Sequence, residues 1–431
     1  MTAALDPGEQ YTDFTAWAKE NGTSINGIAP ARFPGRGIGI VASRNIKKGE
    51  VLVHVPTNSL LHIAHPSIRA INLPDSTTVH ARLAAALALW YTTTTKTTTK
   101  TTTKTTTTPP SSNPPASYSP WQKTWPTPTD LKTTLPIYYP EALQTHLPPA
   151  ATHLLKQQLQ NLNRDWTSLS PTLNPTITKE TYTYTWLLVN TRTFYYTYPH
   201  LPATSPLLPT RRRSKLTASH CYALCPFIDY FNHADTGCTP HHDRSGYSVA
   251  AERDYGPGEE VCVSYGAHSN EFLMVEYGFV LDCNAWDAFL LDALLVPLLS
   301  GGHKEALREH GFLGGYVLAC EAETQVPVVC HRTQAVLRLL VLGSSRYADF
   351  VSGVDDGLGE QASVNQYLAG VLVKYSREIV GILEEVQDLD LKKEVENDDQ
   401  EEMVEGQRET LVKRWKQIQD MINRAIIALQ P

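Results

Sequence analysis

Two segments, far apart in the sequence, contain residue types that can bind a polar ligand. The first is Arg36-Gly-Ile-Gly39, whose two glycines allow the main chain to approach a ligand closely. The second is Asn232-His233, which can supply side-chain amide and backbone hydrogen bonds. Small-molecule sites fix the orientation of a ligand with a few polar groups of this kind, so we interpret the two segments as candidate parts of a binding site.

Short strands joined by glycine-containing turns flank both segments. Apolar residues from Val51 to Val55 follow the turn Lys48-Gly-Glu50 and predict a strand that ends at a proline. A matching unit lies much later in the chain, at residues 248–251 and 261–265 around the turn Gly256-Pro-Gly-Glu259. Paired strands that a long stretch separates predict an α+β fold, in which an insertion divides a β-rich domain.

The domain boundaries follow from these patterns. The β-rich domain is expected at residues 1–60 and 216–285, and residues 61–215 form a mostly helical or irregular insertion. Residues 286–431 are predicted to be an α-helical domain, because apolar residues recur there at helical spacing. One such series is Val364, Leu368, Val371, Tyr375, Ile379, Ile382 and Val386, and another is Leu411, Trp415, Ile418, Ile422, Ala425 and Leu429.

The insertion contains a low-complexity tract. Thr92 to Thr108 holds only threonine and lysine, and prolines follow from Pro109 to Pro128. Because a stretch without apolar residues cannot offset its ordering entropy, residues 92–128 are predicted to be disordered. The regular lysines could bind phosphate, or they could be a repeat expansion in a tolerant loop. The basic run Arg211–Lys215 could be a nuclear import signal or a solvated loop.

Charge is distributed unevenly along the chain. Residues 61–215 carry 15 Lys/Arg against 5 Asp/Glu, whereas residues 216–431 carry 16 against 34. The acidic half could be a solvated surface, or it could attract a basic protein. The start lacks a signal-peptide core, residues 288–299 are too short to cross a bilayer, and the cysteines show no repeated spacing. These features predict a soluble protein of the cytoplasm or nucleus.

Four motifs, in order along the chain, give a resemblance to a known family. They are Arg36-Gly-Ile-Gly39, Thr191-Arg-Thr-Phe194, Asn232-His233 and Tyr277-Gly-Phe279. Together they resemble the SET-domain methyltransferases, specifically the branch that includes plant Rubisco large-subunit lysine methyltransferase. The resemblance covers most of residues 25–285 and implies S-adenosylmethionine as the cofactor. It assigns cofactor binding to Arg36, Gly37, Ile38, Arg192, Asn232 and His233.

The same resemblance implies roles for four further residues. In the family, the tyrosine that matches Tyr277 holds the target amine in line for methyl transfer, and the position of Asp229 lies near the substrate. Tyr265 could add a wall or a hydroxyl to this site, or it could be a core tyrosine. Phe289 stands where the plant relatives carry a second tyrosine, which places it near the lysine channel and leaves the degree of methylation open.

The function implied is protein-lysine N-methylation. We expect a monomeric enzyme that acts on a non-histone protein with an exposed lysine, such as a ribosomal protein, and that has no nucleic-acid or membrane partner. Two alternatives stay open: a protein-histidine methyltransferase and a non-catalytic SET module that only binds proteins. Tyr277 weighs against the first, because the histidine-modifying relatives lack this tyrosine. The retained cofactor residues weigh against the second.

A zinc site is a further alternative. Six possible ligands lie within residues 221–242: Cys221, Cys225, His233, Cys238, His241 and His242. Their spacing matches no standard zinc finger, and His233 is already assigned to the cofactor. We therefore expect no bound metal.

Overall fold

The structure is a computed structural model that describes residues 5–99, 118–173, 175–202, 220–321, 324–391 and 397–430. Its helices are α1 (Glu9–Glu20), α2 (Pro66–Arg69), α3 (Val79–Thr99), α4 (Ser119–Gln122), α5 (Pro128–Thr134), α6 (Glu141–Gln144), α7 (Pro149–Leu173), α8 (Lys179–Arg192), α9 (Asn270–Tyr277), α10 (Asp292–Leu295), α11 (Gly301–Glu309), α12 (His331–Leu342), α13 (Ser344–Val351), α14 (Gln361–Asp388) and α15 (Asp398–Ala428). Its strands are β1 (Ser24–Ile25), β2 (Ile28–Phe33), β3 (Gly37–Ala42), β4 (Val51–Pro56), β5 (Thr193–Tyr195), β6 (Tyr222–Leu224), β7 (His233–Cys238), β8 (His241–His242), β9 (Gly246–Ala250), β10 (Glu260–Val261), β11 (Ala288–Leu290), β12 (Val317–Cys320) and β13 (Pro327–Val329).

The chain divides into two compact units. The first unit consists of residues 1–131 and 158–266, and the second consists of residues 132–157 and 267–431. We predicted a boundary at residue 285 and a single insertion, so the observed division differs in both respects. Residues 132–157 belong to the second unit because α15 holds them there. Trp415 Nε1 donates a hydrogen bond of 2.8 Å to the carbonyl of His146, and Gln407 Nε2 donates one of 2.8 Å to that of Lys132.

The first unit contains the predicted strands, in antiparallel pairs. One sheet has the order β1-β4-β9-β8 and another has the order β10-β3-β2. Strand β4 pairs with β9, so that His54 lies opposite Ser248. This pairing confirms that strands from the two ends of the first unit build one sheet. This sheet contributes to the core of the first unit, in which Val53 and Val55 of β4 are fully buried. The α+β fold class is confirmed.

The prediction of disorder over residues 92–128 is wrong at both ends of that range. Helix α3 continues to Thr99. The hydroxyl of Thr92 donates to the carbonyl of Ala88 at 2.9 Å, so this polar side chain finds a partner within the helix. At the other end, Trp121 and Trp125 are buried, with 1% and 7% of their surface exposed, and they supply the apolar contacts that the proline-rich composition hid. The rest of the tract, and the basic run 211–215, lie outside the described residues.

The second unit is mainly helical, and its two long helices α14 and α15 carry the predicted apolar series on buried faces. Leu411, Trp415 and Ile418 are 0%, 2% and 0% exposed. The expected helical character of residues 286–431 is confirmed, and β11, β12 and β13 add a three-stranded antiparallel sheet there. Among the described helices, none combines the length and apolar character that a bilayer crossing needs.

Candidate active site

Arg36 and Asn232 meet at a carboxylate that sequence reasoning did not single out. Glu260, the first residue of β10, has its Oε2 atom 2.6 Å from Arg36 Nη1. Its Oε1 atom accepts a hydrogen bond of 2.8 Å from Asn232 Nδ2. A carboxylate accepts hydrogen bonds and donates none. Glu260 therefore fixes the orientation of the Asn232 amide, with Nδ2 facing Glu260 Oε1. The Oδ1 atom of Asn232 is then the hydrogen-bond acceptor that is available to a ligand.

The two glycines of the first motif have different roles. A Cβ atom at position 39 would lie 2.5 Å from Asn232 Nδ2 and 3.0 Å from Glu260 Oε1, so only glycine lets these groups meet beside β3. Gly37 has a φ of 73°, and a Cβ atom there would meet no described atom within 4 Å. The main chain at Gly37 therefore borders open space, as close approach of a ligand requires.

Arg192 and Asp229 form a second, deeper cluster. Arg192, the last residue of α8, donates from Nη1 to the carbonyl of Asp229 at 2.9 Å and to its Oδ2 at 3.1 Å. Trp121 Nε1 donates to the same Oδ2 at 3.0 Å, and the N–H of Phe227 donates to Oδ1 at 3.0 Å. Burial raises the pKa of Asp229, against the opposing effects of Arg192 and Trp121. These contacts are those of an internal ion pair, and contact between Asp229 and a substrate stays a prediction.

His233 and Tyr265 stack on each other, with ring centroids 4.9 Å apart. The backbone N–H of Tyr265 donates to His233 Nδ1 at 3.1 Å, and the same nitrogen lies 3.4 Å from the carbonyl oxygen of Val263. The hydroxyl of Tyr265 donates to the carbonyl of Phe231 at 2.8 Å. With its proton directed there, the Tyr265 oxygen still has lone-pair density for an N–H donor. Both interpretations of Tyr265 therefore stay open.

Tyr277 is the last residue of α9 in the second unit. Gly278 ends this helix in the left-handed conformation, with a φ of 83°. A Cβ atom at Gly278 would lie 2.7 Å from Thr134 Oγ1, so glycine is required by conformation and by space. The half-buried ring of Tyr277 has three aromatic neighbours, with centroids 6.3 to 6.5 Å away: His268, Phe272 and Phe279.

Phe289 lies in β11 of the second unit. It is 2% exposed, pairs with Leu318 across the sheet and stacks on Tyr375 with ring centroids 5.6 Å apart. This packing is that of a core residue, and its proposed contact with a substrate stays a prediction. The first unit thus carries the cofactor candidates with Asp229 and Tyr265, and the second unit carries Tyr277 and Phe289.

The cysteines and histidines of residues 221–242 have separate contacts. Cys238 Sγ lies 3.3 Å from the hydroxyl of Tyr255, and His242 Nε2 lies 3.0 Å from Thr197 Oγ1. Over the described ranges, no three His, Cys, Asp or Glu side chains come together as metal ligands would. The contacts that these side chains make are those of ordinary packing.

Sequence reasoning missed Glu260 and Trp121, which hold the predicted residues in place. Glu260 is 28 positions from Asn232 and 108 positions separate Trp121 from Asp229, so no local spacing links them. Glu260 follows a recognisable glycine turn, which is a signal for a strand but not for a partner of Asn232. Trp121 was set aside with the proline-rich tract. Both residues act through tertiary contacts.

The residues of the first unit fit S-adenosylmethionine. This cofactor has a cationic sulfonium, an ammonium-bearing tail and a purine, so its site needs hydrogen-bond acceptors and accessible backbone. Asn232 offers its Oδ1 atom, and Gly37 offers open main chain. The side chain of Arg36 is 49% exposed, which leaves it able to reorganise when a ligand binds.

Comparisons with known proteins agree with this assignment. The sequence matches the family described as SET domain over residues 37–266, which is more than half of the chain. A ribosomal lysine N-methyltransferase, set11, of Schizosaccharomyces pombe is 27% identical over 203 residues, which are 46% of this chain and 49% of that protein. The human actin-histidine N-methyltransferase is 24% identical over 292 residues, 65% of this chain and 44% of that protein. The chain thus spans about half, or less, of the length of these two relatives.

A similar solved structure supports the fold. It is the SET domain of LSMT bound to methyllysine and AdoHcy, which aligns with a TM-score of 0.60 at 14% identity. The alignment covers 98% of this chain and 93% of that chain, so the likeness extends through both units. The family match and this likeness lead to one conclusion: the chain belongs to the SET-domain family.

Proposed function

We propose that this protein is an S-adenosylmethionine-dependent protein-lysine N-methyltransferase that acts on a non-histone protein. The observation that carries the proposal is the meeting of Arg36 and Asn232 at Glu260, beside the open backbone at Gly37, where the SET segment begins. The solved relative holds methyllysine and AdoHcy, and set11 is named a ribosomal lysine methyltransferase, which supports lysine as the target.

The cofactor, when bound, would supply an electrophilic methyl group on a cationic sulfur. The protein has to hold that group and bring a neutral amine to it. A free lysine has a pKa of about 10.4 and is almost wholly protonated at neutral pH. An apolar channel lowers this pKa by desolvation, and the nearby cationic sulfur lowers it further. The enzyme then contributes alignment more than acid–base strength.

Alignment of the amine is the role we propose for Tyr277. A phenol oxygen that accepts an N–H bond from the lysine amine directs the nitrogen lone pair toward the methyl carbon. Imidazole needs less help, because its ring is planar and its uncharged form is common near neutral pH. The presence of Tyr277 therefore favours lysine over histidine, although an actin-histidine methyltransferase is among the relatives.

The substrate we propose is a lysine-rich protein, with ribosomal proteins as the first class to examine. Residues 216–431 carry 16 Lys/Arg against 34 Asp/Glu, and such an acidic surface speeds encounter with a basic partner. We propose that the protein acts as a monomer in the cytoplasm or the nucleus. Light scattering of the purified protein tests the monomer, and a fluorescent fusion tests the location.

Calorimetric titration with S-adenosylmethionine tests the first part of the proposal. We expect one site per chain and competition by S-adenosylhomocysteine. Incubation with a cofactor labelled in the methyl group and an extract from cells that lack the enzyme then tests transfer. A protein that binds the cofactor but labels no extract protein would support the non-catalytic SET module instead. The Tyr265→Phe variant decides between a core role and a hydroxyl role, since only the latter lowers turnover at unchanged stability.

A further inference from the structure

The helix that carries Tyr277 begins at an asparagine whose hydrogen-bonding capacity is fully used. Asn270 is 1% exposed, and its N–H donates to Asp287 Oδ1 at 2.9 Å. Its Nδ2 donates to the carbonyl of Leu281 at 3.1 Å and to Gln417 Oε1 at 3.0 Å. Its Oδ1 accepts from the N–H of Leu281 at 3.1 Å and from Asn284 Nδ2 at 3.2 Å. A buried amide satisfied on both sides fixes the start of α9.

Arg414 of α15 joins this start to the segment that follows the helix. Its Nη2 atom lies 2.8 Å from Glu271 Oε2, in the first turn of α9, and its Nη1 atom lies 2.6 Å from Asp287 Oδ2. The side chains of Arg414 and Glu271 are 0% and 1% exposed. Gln417, one turn further along α15, accepts from Arg414 Nη1 at 3.2 Å and donates to the carbonyl of Leu281 at 2.7 Å. Arg414 and Gln417 of α15 therefore each contact the start of α9 and the segment that follows this helix.

This network gives α9 an orientation that it cannot hold alone. Helices shorter than about 12 residues are marginal by themselves in water, and α9 has 8. Removal of one partner would leave an unpaired charge buried in the second unit, so the ion pairs oppose displacement of the helix from α15. The other end is fixed where Gly278 contacts Thr134. A misplacement of about 1 Å in an aligning group can lower a rate by roughly a hundredfold.

We propose that Arg414 is a positioning residue: through Glu271 and Asp287 it sets the orientation of α9, and thereby the place of the Tyr277 hydroxyl. The inference rests on the proposed function, in which that hydroxyl aligns the target amine. Arg414 itself touches no reacting atom. Its loss should lower turnover and leave cofactor affinity unchanged, because the cofactor candidates belong to the first unit.

A double-mutant cycle between Arg414→Lys and Tyr277→Phe tests the inference. Lysine keeps the charge of Arg414 but cannot reach both carboxylates with a planar fork. We expect Arg414→Lys to lower kcat by tenfold or more, with the Kd for S-adenosylmethionine within twofold of wild type. In the Tyr277→Phe background the same substitution should change kcat by less than twofold, because the group that it positions is already gone.

Arg338→Lys is the matched control. Arg338 is also a buried arginine of the second unit, 2% exposed, and it bonds to Gln361 Oε1 at 2.7 Å and to the carbonyl of Gly357 at 2.9 Å. Among the described residues it makes no hydrogen bond or ion pair with α9, so its substitution should destabilise the unit while changing kcat equally in both backgrounds. If Arg414→Lys and Arg338→Lys lower the melting temperature by similar amounts, a difference between their effects on kcat reflects coupling to Tyr277 and not a difference in stability.

Gln417→Leu provides a milder version of the cycle if Arg414→Lys does not fold. It removes the bonds to Asn270, Leu281 and Arg414, while Arg414 keeps its pairs with Glu271 and Asp287. Equal effects of the α15 substitutions with and without the Tyr277 hydroxyl would overturn the positioning role and leave the proposed function standing. Wild-type turnover by Tyr277→Phe would overturn the proposed role of Tyr277, and the positioning role with it.

Discussion

The two units hold their candidate residues in contrasting ways. In the first unit, the Arg36–Glu260 pair is partly solvated, with side chains 49% and 14% exposed. In the second unit, Arg414 and Glu271 are 0% and 1% exposed. A solvated pair contributes about 0–1 kcal/mol and can reorganise around a ligand, whereas a buried pair is rigid and costly to break. The cofactor candidates of the first unit are therefore held by a pair that can rearrange, whereas α9 of the second unit is held by a rigid one.

The largest effect is expected for Asn232→Ala, which should weaken S-adenosylmethionine binding. A ligand group that loses its partner costs about 1–3 kcal/mol, which corresponds to a rise in Kd of roughly fivefold to 150-fold. Calorimetric titration measures this. Asn26→Ala is the control, since Asn26 is exposed and its side chain bonds to the exposed Arg44 and to the carbonyl of Val51. Unchanged affinity of the Asn232 variant would remove this residue from the cofactor site.

Tyr277→Phe is expected to lower kcat by tenfold or more, which is about 1.4 kcal/mol of barrier, because the amine loses its hydrogen-bond acceptor. The Kd for S-adenosylmethionine should stay within a few-fold of wild type. Single-turnover kinetics with saturating cofactor separates the two quantities. A weaker cofactor Kd with normal turnover would contradict the role proposed for Tyr277.

Gly39→Ala should weaken cofactor binding by about fivefold to tenfold. The added Cβ atom would lie 2.5 Å from Asn232 Nδ2, so the Asn232–Glu260 bond must shift. Gly256→Ala is the matched control, because a Cβ atom there would meet Glu259 Oε1 only at 3.9 Å, and its φ is not in the left-handed region. Equal affinities for the two variants would show that the amide orientation of Asn232 does not matter for binding.

The smallest expected effect is the change in the stability of the first unit with pH. Burial lowers the pKa of His62 to about 3 and that of His80 to about 4, whereas both are near 6.5 in the unfolded chain. From pH 7 to pH 6 the unfolded chain therefore takes up protons that the folded chain does not. Stability should fall by about 0.7 kcal/mol for each histidine.

Urea unfolding at pH 7 and pH 6 measures this change. The His80→Gln variant keeps a donor for the carbonyl of Trp186 but cannot titrate, so its stability should fall by about 0.7 kcal/mol less than that of the wild type between pH 7 and pH 6. The raised pKa of Asp229 acts in the opposite sense, and the comparison between variant and wild type removes its contribution. An identical pH dependence in the two proteins would contradict the buried, uncharged state of His80.

The sequence was informative where residues act through local pattern. Alternation from Val51 to Val55 predicted β4, and helical spacing predicted α14 and α15. The sheet of β11, β12 and β13 was missed because its strands have only three or four residues, too few for a period to emerge. Glu260 and Arg414 were missed for another reason. Each acts on residues distant in sequence, and only tertiary structure reveals such partners.

The most direct test of the central claim is to identify the amino acid that receives the methyl group. The purified protein is incubated with methyl-labelled S-adenosylmethionine and a ribosomal extract from cells that lack the enzyme. The labelled protein is then hydrolysed or mapped by mass spectrometry, with Tyr277→Phe in parallel. The account predicts label in Nε-methyllysine, reduced at least tenfold in the variant. Label in methylhistidine would contradict it, as would equal labelling of lysine by the two proteins.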